Sequence, residues 1–138
     1  MLSYARVKKL IPAFNERQLT AEDFSLIADV SDIDVCEIRL AKRGYYVWTE
    51  SEDYIFIKKT LNGLQWLETA FHELFHAVFR DVCEFLHDQR QTIANALSLI
   101  ALIPVSMLKD NSFLEENPTR YAAKLFKERQ RIYFFYGV

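Results

Sequence analysis

The sequence predicts an α+β domain, and three observations carry that prediction. Residues 33–57 hold three short runs of strand-forming residues separated by polar turns. Between Gly63 and Pro104 no glycine or proline interrupts the chain, which favours long helices. Within that stretch apolar residues recur almost all the way round a helix, as in a helix buried on most sides.

In chain order, Leu19-Thr20-Ala21-Glu22-Asp23 opens a first helix. Thr20 is its expected N-cap, and Asp23 sits where its carboxylate can reach back to a free backbone N–H. Phe24, Ile27 and Ala28 mark its apolar face, and it fades near Ser31-Asp32. Ile33, Val35, Ile38 and Leu40 then alternate as a strand, Tyr45 to Thr49 forms a second, and Tyr54 to Ile57 a third. Their short polar connections predict a small antiparallel meander. Gln65 to Arg80 is the buried helix, a break falls in Asp81 to Gln91, and Thr92 to Ile103 is a further apolar helix closed by Pro104. A last helix covers Thr119 to Arg131, with Arg120, Lys124, Lys127, Arg129 and Arg131 read as a solvated face.

Bulk properties narrow the function classes. A chain of 138 residues is expected to form a single domain, 1–138, without repeats. Its net charge of −2 gives no electrostatic footprint for direct nucleic-acid binding. Cys36 and Cys83 are too few for a disulfide framework, and Met1 to Leu10 does not read as a signal peptide. The longest apolar stretch, Leu97 to Leu108, is broken by Ser98, Pro104 and Ser106, so no membrane span is expected. A soluble, cytoplasmic protein is the expectation.

His72-Glu73-Leu74-Phe75-His76 carries the chemistry. Residues four apart on a helix lie one turn above each other, so His72 and His76 can aim two imidazoles at one zinc ion. Glu73 is then placed as general base toward a water that the metal acidifies. The bland alternative, two core histidines on a buried helix, leaves a buried carboxylate without a partner, which is costly. A catalytic site needs a third protein ligand. Gln91, Asn95 and Ser98 form a polar stripe that begins just before the following helix; it faces either water or, across the helix pair, the metal, with Gln91 then nearest and Asn95 behind it. Asp88 is the nearest carboxylate, with Glu84 and Cys83 as further donors, so these residues leave the third ligand open. His87 reads as an oxyanion stabiliser or a surface histidine, the latter favoured by its polar surroundings. Tyr45, Tyr46 and Tyr54 border a cleft or pack the sheet.

Phe71-His72-Glu73-Leu74-Phe75-His76, then Gln91-Thr92-Ile93-Ala94-Asn95, then Leu102-Ile103-Pro104 together resemble the ImmA/IrrE family of zinc metallopeptidases. The resemblance covers residues 19–108 and leaves 109–138 as a C-terminal helical extension. It implies a zincin-like fold and a cytoplasmic endopeptidase. The implied substrate is a helix-turn-helix transcriptional repressor, cleaved to switch on genes of a mobile element or a stress response. In that family a Glu three residues before the Ala-Asn pair is the third zinc ligand; Gln91 stands in its place. The family also carries Gly at the position of Phe75. A neutral Gln leaves the metal site one charge more positive and binds zinc more weakly. The alternative function is therefore a catalytically weakened or inactive relative that serves as a regulatory or binding module.

Overall fold

Tyr54-Ile55-Phe56-Ile57 is the most apolar of the three strand segments, and that decides the sheet. In the computed structural model, which describes residues 2–82 and 87–138 (the side chains of Leu2 and His87 apart), strand β3 (Asp53–Lys58) lies in the middle. β1 (Ile33–Ile38) flanks it on one side and β2 (Gly44–Trp48) on the other. β2 pairs antiparallel with β3, Tyr46 opposite Ile55, whereas β1 pairs parallel with it, Val35 opposite Ile55. The sheet is thus mixed, which corrects the expected antiparallel meander. A meander would have put β2 in the centre. Ile55 and Ile57 are fully buried while Val35, Tyr45 and Val47 are exposed, so burial of the most apolar strand on both sides outweighs the short β1–β2 connection.

Beside this sheet's three strands, the described residues include six α-helices in chain order, which makes the class α+β. α1 spans Leu2–Leu10, α2 Ala21–Val30, α3 Gly63–Val78, α4 His87–Leu102, α5 Ser112–Glu116 and α6 Arg120–Tyr136. α2 starts as its sequence dictates: the Thr20 hydroxyl accepts from the Asp23 N–H, and the Asp23 carboxylate accepts from the Thr20 N–H at 2.7 Å. α4 begins five residues before the expected Thr92 and ends, as expected, ahead of Pro104. None of the described helices is long and apolar enough to cross a membrane.

The chain gathers into two compact units, Thr20–Ser98 and Met1–Leu19 with Leu99–Val138. In the first, α3 packs across β2 and β3, and α2 packs on β1 and α3. Its core is aromatic: Phe24 meets Phe71 and Trp66 edge-on, and Phe71 stacks on Phe75. Phe75, which stands where the resembled family carries Gly, is a fully buried part of that core.

In the second unit α6 packs on α5 and on the 3₁₀ turn Val105–Leu108. Here the structure corrects the solvated basic face: Arg129 is fully buried. Its guanidinium donates to the Ile103 carbonyl at 2.6 Å, the Val138 oxygen at 2.8 Å and Asn15 Oδ1 at 3.1 Å. Asn15 Oδ1 also accepts from the Val105 N–H, and its Nδ2 donates to the Tyr4 hydroxyl. Neutral oxygens replace the water that a guanidinium would otherwise keep, and desolvation pulls the Arg129 pKa down to about 10.

Candidate metal centre

α3 carries His72, Glu73 and His76 in its C-terminal half, and its packing on the sheet decides where each side chain goes. Phe71, Leu74 and Phe75 turn into the core. One helical turn sets His76 beside His72 on the opposite flank, with Nε2 atoms 3.0 Å apart. α4 brings Gln91 to the pair: its Oε1 lies 3.0 Å from His72 Nε2 and 3.3 Å from His76 Nε2. Three donor atoms therefore form a small triangle.

Protons cannot satisfy that triangle. A ring nitrogen either donates or accepts, never both, and an amide oxygen only accepts. If both Nε2 atoms carry hydrogens, they face each other as two donors. If one does, two acceptors are left in contact, and exchanging the amide's O and N moves the conflict without removing it. A single cation between the three atoms resolves all of it. Zinc binds nitrogen or oxygen at about 2.0–2.2 Å, which sets tetrahedral donors about 3.3 Å apart. The observed edges are close to that spacing, so these residues fit a metal ion with three protein ligands. Burial and the neighbouring His76 push the His72 pKa down to about 4, which keeps its imidazole neutral and its lone pair free to ligate.

Glu73 stands next to this triangle with Oε2 3.9 Å from His72 Nε2. It is buried, and desolvation raises its pKa to about 7, opposed by the Tyr46 backbone N–H and by the Lys42 ammonium. The Tyr46 contact needs close approach of β2 to α3, and Gly44 permits it. A Cβ at Gly44 would stand 2.8 Å from Thr69 Cγ2 and 2.9 Å from the Phe56 oxygen.

The triangle opens into a cleft of about 560 Å³ walled by β2, α3 and α4. Tyr45, Tyr46 and Trp48 form the β2 wall; Tyr54 does not line it. Tyr46 stacks on Trp48, and its hydroxyl donates to Asp53 Oδ2 at 2.8 Å. Arg80 binds the other Asp53 oxygen at 2.8 Å. Asn95 lines the cleft and its side chain hydrogen-bonds His72. Ser98, the third residue of the polar stripe, is instead buried with its hydroxyl on the Asn95 carbonyl.

Asp88 does not join the histidines. Asp88 is exposed in the first turn of α4. Among the described residues no group of three or more His, Cys, Asp and Glu side chains is placed to hold a metal. Cys83 and Glu84 lie outside the described residues, as does the side chain of His87. Sequence reasoning missed Lys42, Arg80 and Arg90, which also line the cleft. No periodic signal marks a loop lysine, and the arginines follow from where α3 ends and α4 begins. No protein-family model matches this sequence, and no curated protein matches it.

Proposed function

We propose that this protein is a zinc-dependent endopeptidase in which His72, His76 and Gln91 hold the metal and Glu73 is the general base. One observation carries the reading. The Nε2 atoms of both histidines and the Gln91 oxygen converge in a triangle that no arrangement of protons satisfies, and a buried carboxylate stands beside it. Zinc supplies Lewis acidity, which acidifies water and polarises a peptide carbonyl. Glu73 takes the proton of the attacking water and later gives it to the leaving amine. Its place beside the histidine pair suits that double duty, because one carboxylate there can both accept and return the proton. Asn95 fixes the His72 ring, and the β2 edge offers backbone groups to an extended substrate.

The resemblance to ImmA/IrrE peptidases supports a zincin-like fold and a helix-turn-helix repressor as substrate, cleaved in the cytoplasm. A second reading has Gln91 in its favour: a neutral third donor suits a metal-holding regulatory module that does not cleave. Elemental analysis and a repressor-cleavage assay on wild type and Glu73→Gln separate the two. The enzyme reading expects about one zinc per chain in both proteins and a loss of cleavage of about 10²–10⁴-fold in the variant. Metal in both with equally negligible cleavage selects the module. A protein that takes up no divalent metal overturns both.

A further inference from the structure

The lining of the cleft is unbalanced in charge. Lys42, Arg43, Arg80 and Arg90 contribute four cations, against Glu68 and Glu73 as the two carboxylates, in a chain whose net charge is −2. Most of these cations are occupied within the fold. Arg80 is held by Asp53 at 2.8 Å, Arg43 lies 3.6 Å from Glu68, and Arg90 donates to the Val82 carbonyl at 2.9 Å. Lys42 differs. It sits in the connection just before β2, is exposed, and has its ammonium 5.4 Å from the Tyr45 ring centroid. Among the described residues no carboxylate lies within ion-pair distance of it, although its charge is felt at Glu73. A neutral ligand triad adds to the imbalance, since Gln91 cancels none of a metal ion's charge. Walls of low polarisability around a cleft whose lining is net positive concentrate its field on whatever enters.

We propose that the cleft selects peptide segments bearing an Asp or Glu side chain near the bond presented to Glu73, with Lys42 as the cation that meets this carboxylate. The inference rests on the peptidase reading and deepens it by naming the substrate class. A basic segment would meet the Lys42 charge, which no described carboxylate within ion-pair distance offsets, before reaching the histidines, and a neutral one would leave Lys42 with the Tyr45 ring alone. Lys42 acts at a distance from the reacting atoms, so its effect falls on substrate capture, in KM and the on-rate, more than in kcat.

The test uses zinc-loaded full-length protein and internally quenched peptides sharing one apolar centre, with Glu, Gln or Lys placed at each flanking position in turn. The expected result is a preference for Glu over Gln of roughly five- to tenfold in kcat/KM at one or two positions, carried by KM and reduced by high salt. Lys42→Gln should bring the Glu/Gln ratio close to one, and Lys42→Glu should turn the preference toward Lys. Fluorescence anisotropy on the Glu73→Gln protein with the same labelled peptides measures selection without requiring cleavage. Cleavage indifferent to flanking charge, or a ratio unmoved in both Lys42 variants, overturns the acidic specificity and leaves the peptidase standing. Absence of cleavage, with Lys42-dependent binding of Glu peptides still seen by anisotropy, overturns the peptidase and retains the selection.

Discussion

Among single residues, Gln91 decides the character of the centre. Its amide oxygen makes the contacts to both histidines that a carboxylate would make with an added negative charge. A carboxylate ligand offsets part of the metal's charge, and an amide does not, so Gln91→Glu should tighten zinc binding by at least about tenfold. Competition with a chromophoric chelator reads that change directly. A variant with unchanged or weaker zinc affinity would mean that position 91 does not ligate. Sequence reasoning named Gln91, His72, His76 and Asn95, because helical spacing alone puts Gln91 and Asn95 on one stripe and the two histidines one turn apart. It did not find Lys42, whose position depends on how a loop enters an edge strand.

The contact between β2 and α3 is the element that builds the Glu73 environment. Gly44 lets the strand lie against Thr69 and Glu73, so the Tyr46 N–H reaches the buried carboxylate. Gly44→Ala should destabilise the protein by about 1–3 kcal/mol through overpacking, and cleavage should fall as Tyr46 draws away from Glu73. Chemical denaturation and a peptide assay measure both. Trimming Thr69 to Ala in the same chain should recover part of the loss only, since the Phe56 carbonyl 2.9 Å away is backbone and cannot yield. Wild-type stability in Gly44→Ala would mean the close approach is unimportant. Several helix ends were legible at this scale from caps and breakers: Thr20 with Asp23 before α2, and Pro104 after α4; Thr119, read as the first residue of the last helix, is the N-cap of α6. α6 continues to Tyr136 and stops at Gly137, whose φ of 72° makes it a left-handed cap. α1 went unread although Ser3, Val7 and Ile11, all buried, already stand at helical spacing.

Taken over the whole molecule, the unit formed by both ends of the chain is organised on a buried cation. Arg129 binds three oxygens contributed by Ile103, Val138 and Asn15, segments far apart in sequence. Arg129→Ala would take this donor from the Ile103 and Val138 oxygens, leave Asn15 Oδ1 with the Val105 N–H alone, and open a cavity, at an expected loss of about 3–5 kcal/mol. Arg129→Met, which keeps most of the volume, should lose less; urea denaturation of the two variants gives the comparison. Equal stability of Arg129→Ala and wild type would show that the guanidinium is not structural. At about 100° per residue, Arg120, Lys124, Lys127 and Arg131 share one face of α6, and Arg129 falls about 180° from Arg120. Helical spacing thus sets Arg129 off the basic face, while packing decides that it is buried there.

By itself, the sequence determined the α+β class, the helix carrying His72, Glu73 and His76, and Gln91 as a candidate partner, because caps, breakers and helical periodicity act over a few residues. Tertiary structure alone decided three things: the mixed strand order, the burial of Arg129, and the convergence of Gln91 rather than Asp88 on the histidine pair. Each depends on which surfaces exclude water when distant segments meet. Local spacing does not encode that competition, since the most apolar strand takes the centre and the best-satisfied polar group takes the interior.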